Sequence, residues 1–170
     1  MQSKKKNVAV VVTVLASMGY PGLAQDETQN RPASPWFKNP ANGHYYRLLS
    51  NATWKPSARW ADDMGGYLVT IENKQEQEWV FNTFGKTGQQ RLLWIGLTNW
   101  NNGGQFAWED GSPLNYTNWF PGEPNAVGNV ENFVAMYYAN FNTPGSWNDW
   151  EDRLKDPIGV PFHGVVEFEE

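Results

Sequence analysis

Apolar and polar positions change rhythm several times along this chain, and each change marks an element. Trp36 to Ala41 reads as the entry to a domain, and His44 to Leu49 alternates as a first strand does. From Pro56 to Met64 the period lengthens. Ala58, Ala61 and Met64 fall three apart, Pro56 suits a first helical turn, and Gly65-Gly66 stops the run. Tyr67-Leu68-Val69-Thr70-Ile71 predicts a short strand. Asn73 to Phe84 predicts a second helix, with Asn73 as N-cap, Glu76 placed as in a capping box, an apolar face of Trp79, Val80 and Phe84, and Gly85 at its end. Leu92 to Leu97 is an unbroken apolar strand. Thr98 to Asn125 then loses any sustained period and fills with Asn, Gly, Pro and Trp, with only Phe106–Trp108 as a short strand inside it. An irregular stretch of that length inside a compact domain is usually functional. Glu131 to Tyr138 predicts another strand, Ala139 to Ser146 a loop, and Gly164 to Phe168 a closing strand. The fold class is therefore α+β, with helices early and sheet late.

The first 24 residues have a different character. Lys4, Lys5 and Lys6 precede an apolar run from Val8 to Met18, and Gly22-Leu23-Ala24 offers small residues before Gln25. This predicts a cleaved export signal over 1–24. The apolar run is 11 residues long, against roughly 20 needed to span a bilayer, and no other stretch is a candidate span. Gln25 to Pro35 reads as a flexible polar leader, and 36–170 as a single domain. Cleavage changes the charge balance. Of 13 basic residues three leave with the signal, so 10 face 18 acidic ones and the net charge is −8. That balance argues against nucleic acid or an anionic membrane as partner, and the expected location is extracellular or periplasmic.

The chain has no cysteine and two histidines, His44 and His163. Thiolate metal sites, thiol catalysis and histidine-rich metal sites are excluded, and neither histidine lies in a nucleophile motif. Stabilisation falls instead to ten Trp, nine Phe and seven Tyr, each able to bury about 150–250 Å².

The candidate chemistry is concentrated between positions 123 and 149. Glu123-Pro124-Asn125, then Glu131, then Trp147-Asn148-Asp149 supply three carboxylates and two amides, all oxygen donors. A hard cation such as Ca2+ takes about 6–8 oxygen ligands. Three carboxylates nearly neutralise a dication, and each amide adds a carbonyl ligand while keeping an NH2 donor for something else. Pro124 permits a cis peptide bond at small cost, which would turn Glu123 and Asn125 toward one point. By composition alone Gly122-Glu123-Pro124-Asn125 reads equally well as a polar turn.

Four segments in order decide between these readings: Met64-Gly65-Gly66-Tyr67-Leu68-Val69-Thr70-Ile71, Trp94-Ile95-Gly96-Leu97, Tyr116-Thr117-Asn118-Trp119 with Gly122-Glu123-Pro124-Asn125, and Trp147-Asn148-Asp149. Together they resemble the C-type lectin-like domain. The resemblance implies two helices packed on antiparallel sheets with a long Ca2+-binding loop. It implies Glu123, Asn125, Glu131, Asn148 and Asp149 as the ligands of one Ca2+, with Asp149 also using its backbone carbonyl. It further implies that two vicinal sugar hydroxyls complete the metal shell and hydrogen-bond Glu123, Asn125, Glu131 and Asn148. The order Glu-Pro-Asn implies mannose-type selectivity. Ala126 stands where many members carry a further acid, and acids expected near Asn99 and Gly103 are missing, so a single Ca2+ is expected. The family's framework cysteines are replaced, one pair by Ala61 and Val166 and another by Phe133 and a residue near Asp152. The absence of cysteine also suggests a bacterial source.

Trp94, Trp108, Trp119 and Trp147 are expected as core or loop-packing residues. Tyr138, Phe141 and Trp150, which flank the metal motif, are the expected aromatic face for a sugar. Glu109-Asp110 and Glu151-Asp152 could suggest a glycosidase pair, but nothing brings them together, and no enzymatic activity is expected. The expected function is a secreted Ca2+-dependent carbohydrate-binding lectin. The alternative is a protein- or ice-binding adhesion module whose Ca2+ is structural. Weak single-site affinity would favour a homo-oligomer for avidity.

Overall fold

The computed structural model describes residues 32–169, so the expected signal over 1–24 and most of the leader lie outside the described residues. The part of the leader that is described is not loose. Pro32 bridges Leu49, Ala33 N donates to Leu48 O at 2.8 Å, and Ser34 Oγ accepts from Leu48 N at 2.9 Å. The domain thus begins before Trp36, because the outer side of the first long strand needs partners for its backbone groups.

The strands are β1 (Phe37–Lys38), β2 (Tyr45–Asn51), β3 (Tyr67–Leu68), β4 (Leu92–Thr98), β5 (Ala107–Trp108), β6 (Phe133–Met136), β7 (Trp147–Trp150) and β8 (Phe162–Phe168), and the helices are α1 (Trp54–Asp63) and α2 (Lys74–Val80). They form one mixed sheet in the order β1-β2-β8-β4-β6-β7, with β3 on β8 and β5 on β4. The first long strand pairs with the last, so the sheet is not confined to the C-terminal half as the sequence suggested. Two elements depart further from expectation. β1 extends the edge beyond β2, and the metal motif Trp147-Asn148-Asp149 is itself a strand. Four polar or aromatic residues give no alternating signal there, and pairing with β6 makes the strand.

Helix α1 begins two residues before Pro56, and Thr53 caps it without a side-chain hydrogen bond. Its end uses both glycines differently. Gly65 takes the left-handed conformation at φ 81°, whereas a side chain on Gly66 would collide with the Glu167 carbonyl of β8. Helix α2 starts as expected, Asn73 accepting from Glu76 N at 3.0 Å. The Glu76 carboxylate reaches back to Glu72 N at 2.8 Å. Beyond Val80 the helix widens into a π-helical turn over Phe81–Gly85.

Two buried clusters lie on the faces of the sheet. One gathers Ile71, Val80, Phe84, Ile95, Leu97, Trp108 and Trp147, and the other Trp54, Ala61, Trp94, Phe133, Phe162 and Val166. Ala61 and Val166 are both fully buried in the second cluster, and Phe133 stacks on Trp54 at 4.7 Å. Apolar packing therefore occupies three of the positions where the resemblance puts cysteines, while at the fourth Asp152 accepts from Lys55 N at 3.3 Å. Trp94 stacks on Phe162 at 4.1 Å, and Trp108, Tyr116 and Trp119 all meet Trp147 edge-on at 5.8–5.9 Å.

One polar network is buried with the core. The Tyr46 hydroxyl lies 2.6 Å from Glu76 Oε1 and 2.8 Å from Glu167 Oε1, and His44 Nδ1 lies 2.7 Å from the same Glu167 oxygen. Burial pushes both carboxyls above the ordinary 4.5. Burial opposes the His44 imidazolium, but the hydrogen bond and charge of Glu167 raise its pKa overall above 6.5. Carboxyls raised in the fold lose stability as pH climbs from about 4.5, and the raised histidine loses its contribution as pH passes through its folded value. Both act in one direction. In EDTA the melting temperature should fall from about pH 5 to about pH 8, and Glu167→Gln should flatten that slope. An identical slope in the variant would remove Glu167 from the account.

Candidate metal and ligand site

Strand β7 ends the sheet, so its free edge is available to the long loop. Trp147 N donates to Asn118 O at 2.7 Å and Phe120 N to Trp147 O at 2.8 Å. These two bonds lay loop residues 118–120 along β7, which carries the following segment toward Asn148 and Asp149. The Glu123–Pro124 peptide bond is cis.

Four of the five oxygen-bearing side chains, Glu123, Asn125, Glu131 and Asp149, are linked here through hydrogen bonds, and Asn148 adjoins Asp149 on β7. The Asp149 carboxylate accepts from Asn125 N at 3.2 Å and Ala126 N at 2.9 Å. Asn125 Nδ2 donates to Glu123 Oε1 at 2.9 Å. Val127 N is shared between Asn125 Oδ1 at 3.2 Å and Glu131 Oε2 at 2.9 Å. Adjacent strand residues point to opposite faces, and the two differ here: the Asp149 carboxylate takes the loop N–H groups, whereas Asn148 Nδ2 donates to the Tyr137 hydroxyl at 3.1 Å. Burial grades outward: Asp149 and Asn148 are buried, Glu123 and Glu131 are half-buried, and Asn125 is exposed.

The electrostatics are unfavourable for the protein alone. Burial, contact with the Asp149 carboxyl and the Asp149 and Glu131 charges push the Glu123 carboxyl up to about 7. Burial also raises Glu131, and the Asp149 charge adds to it. Two enclosed oxygens, Glu123 Oε2 and Asn148 Oδ1, have no hydrogen-bond donor. The Asp149 carboxyl beside Glu123 can act as its hydrogen-bond partner only if a proton is shared. A buried acceptor without a donor costs about 1–3 kcal/mol, and a bound cation would remove that cost for both atoms. The donor set therefore fits a hard dication. It does so only with the amides included: among the described residues no three acidic or histidine side chains alone make a metal-holding group. Two clefts lie away from these residues, one of about 570 Å³ between α1 and Trp100, another of about 370 Å³ lined by Trp36, Tyr45, Met64 and Phe168.

The expected aromatic face is mostly turned inward. Trp150 and Tyr138 are each 8% exposed. Phe141 is half-buried and lies flat on Tyr137, with ring centroids 3.6 Å apart and planes 7° apart. These rings pack on one another and on Phe120 and Phe162, so little of Tyr138 or Trp150 is open to stack a sugar. The residue that sequence reasoning missed is Tyr137, whose hydroxyl accepts from Asn148 Nδ2 at 3.1 Å. Burial and then the Glu123 charge push this phenol up to about 12. The signal available was its position in the strand: two beyond Ala135, which pairs with Asn148. Of the acidic pairs, Glu151 lies close enough for its charge to add to the upward shift of Glu131. Asp110 caps Ser112 at 2.9 Å and Glu151 pairs with Arg153 at 3.1 Å.

Comparison with known proteins places these features in a family context. Residues 50–158 match the family model described as the lectin C-type domain. The low affinity immunoglobulin epsilon Fc receptor of Mus musculus is 37% identical over 105 residues, covering 62% of this chain and 29% of the receptor. A perlucin-like protein of Mytilus galloprovincialis is 30% identical over 122 residues, covering 71% of this chain and 74% of that protein. Among solved structures, the cow C-type carbohydrate-recognition domain of CD23, determined in the presence of a GlcNAc2Man3 oligosaccharide, superposes with a TM-score of 0.64. It is 29% identical and covers 82% of this chain and 98% of the domain. The match thus spans less than a third of the receptor relative but nearly all of the recognition domain.

Proposed function

This chain belongs to the C-type lectin domain family, a binding fold and not an enzyme, and from that premise we propose that it is a Ca2+-dependent carbohydrate-binding lectin of mannose-type selectivity. The observation that carries the reading is the pair of enclosed, donorless oxygens, Glu123 Oε2 and Asn148 Oδ1, with Glu123, Asn125 and Asp149 hydrogen-bonded together. The oligosaccharide present with the CD23 domain contains mannose, which supports the same ligand class here.

Glu123, Asn125, Glu131, Asn148 and Asp149 would hold one Ca2+, which when bound supplies a Lewis-acidic centre for two vicinal sugar hydroxyls. Glu123 and Glu131 then accept hydroxyl protons, while Asn125 and Asn148 each offer an NH2 hydrogen to hydroxyl lone pairs. Asn125 donates one hydrogen to Glu123 in this structure and keeps the other. Swapping donor and acceptor sides changes which hydroxyl pair leaves no group unpaired, and a polar site rejects ligands that do. Of the three expected rings, Phe141 is half-buried where Tyr138 and Trp150 are buried, and it is the aromatic contact in this reading. The reading also includes export by the 1–24 segment. Among the described residues no helix is long and apolar enough to cross a membrane.

Calorimetric titration tests this directly. The wild type should bind one Ca2+ per chain and then mannose, with Kd on the order of a millimolar, about −4 kcal/mol. The double replacement Glu123→Gln/Asn125→Asp should lose mannose or shift toward galactose while keeping Ca2+. Ca2+ binding with no heat from any sugar would favour a protein- or ice-binding module with structural metal. No saturable Ca2+ binding would end the lectin reading.

A further inference from the structure

Tyr137 lies one residue beyond β6, and the β6–β7 pairing continues through it. Ala135 faces Asn148, and Tyr137 N donates to Ser146 O at 2.8 Å. Tyr137 therefore shares a face with Ala135 and is the diagonal neighbour of Asn148, a separation that a long aromatic side chain can span. Its ring is confined on several sides: flat against Phe141 at 3.6 Å, and edge-on to Phe120 at 5.9 Å, Trp150 at 6.0 Å and Tyr138 at 6.5 Å. Packing fixes the ring, and the ring fixes the hydroxyl that takes the Asn148 Nδ2 donor.

Resting on the reading of Asn148 as a cation ligand, we infer that Tyr137 is a positioning residue of this site, holding the Asn148 amide with its nitrogen engaged and its carbonyl oxygen left for coordination. The two ends of a carboxamide are nearly the same shape but opposite in use. The oxygen coordinates a cation, and the NH2 group repels it. The Tyr137 hydroxyl is the one side-chain partner of Asn148 among the described residues, and Asn148 Oδ1 is left without a donor. Partners of this kind, which orient a ligand without touching the metal, typically contribute about 10–100-fold to metal affinity. The aromatic cluster around Tyr137 thus acts on the site by aiming an amide. Aromatic contact with a sugar is a separate matter.

Tyr137→Phe keeps the ring and removes only the hydroxyl oxygen. Calorimetry should find Ca2+ bound about 10-fold more weakly, with the melting temperature in EDTA changed by no more than about 2 °C. Asn148→Asp makes both ends of the side chain oxygen, so in that background Tyr137→Phe should change Ca2+ affinity by less than about twofold. A readout independent of metal is the Asn148 side-chain amide in an NMR spectrum recorded in EDTA. One of its two protons should be protected from exchange in the wild type and exposed in Tyr137→Phe. Equal losses of Ca2+ affinity in both backgrounds would assign Tyr137 to packing and overturn the inference, as would no loss in either. If the wild type binds Ca2+ saturably, those failures leave the lectin reading standing. If it does not, the ligand set itself fails and the inference falls with it.

Discussion

Replacing Asp149 by alanine is expected to abolish Ca2+ binding and to loosen the loop around Glu123 in the same step. Asp149 is fully buried, and its two carboxylate oxygens hold the backbone N–H groups of Asn125 and Ala126. No other acid in the set joins β7 to the loop in this way. Removing it deletes a carboxylate of the proposed ligand set and also leaves two backbone donors unmet. Loss of a ligand should cost at least as much as loss of a supporting partner, so Ca2+ affinity should fall by more than about 100-fold. The unmet donors should cost a further 1–3 kcal/mol or so of stability without metal. Asp149→Asn, which keeps one oxygen acceptor, should retain more of the stability than of the Ca2+ affinity. Calorimetry with Ca2+ and thermal melts in EDTA read the two effects separately. Wild-type Ca2+ affinity in Asp149→Ala would place the cation elsewhere.

The second large effect is expected at Trp147, which joins the core to the site. Its ring is fully buried, is met edge-on by Trp108, Tyr116 and Trp119, and donates from Nε1 to Gln77 Oε1 at 2.8 Å. Its backbone makes the two bonds that lay residues 118–120 along the sheet edge. Trp147→Ala should cost about 3–5 kcal/mol through lost burial and the cavity left behind, a fall of roughly 10–20 °C in melting temperature for a domain of this size. Because the loop is anchored through the same residue, Ca2+ affinity should fall as well, although Trp147 supplies no ligand. Trp147→Phe, which loses the indole N–H and part of the ring, should fall between. A melting temperature within about 3 °C of wild type in the alanine variant would mean that the loop carries its own structure.

The sequence by itself determined what depends on residue type and near neighbours. Five oxygen donors without sulfur or imidazole define a hard-cation chemistry wherever the chain puts them. Asn73 caps α2 because the acceptor and the N–H it serves are three residues apart, and Gly65 ends α1 because its left-handed backbone favours glycine. The order of the four motifs carried the family, and with it the α+β fold. The tertiary structure decided whatever depends on a distant partner. Trp147–Trp150 is a strand because β6 lies beside it, and residues 32–34 join the domain because β2 had an open edge. Tyr138 and Trp150 turn inward because Phe120, Phe141 and Phe162 are there to cover them, whereas the sequence shows only that they are aromatic and near the metal motif. Tyr137 was overlooked for the same reason. Its importance is a hydroxyl meeting an amide 11 residues away across a strand pair, and that register is set by the whole sheet, which no local pattern of apolar and polar residues encodes.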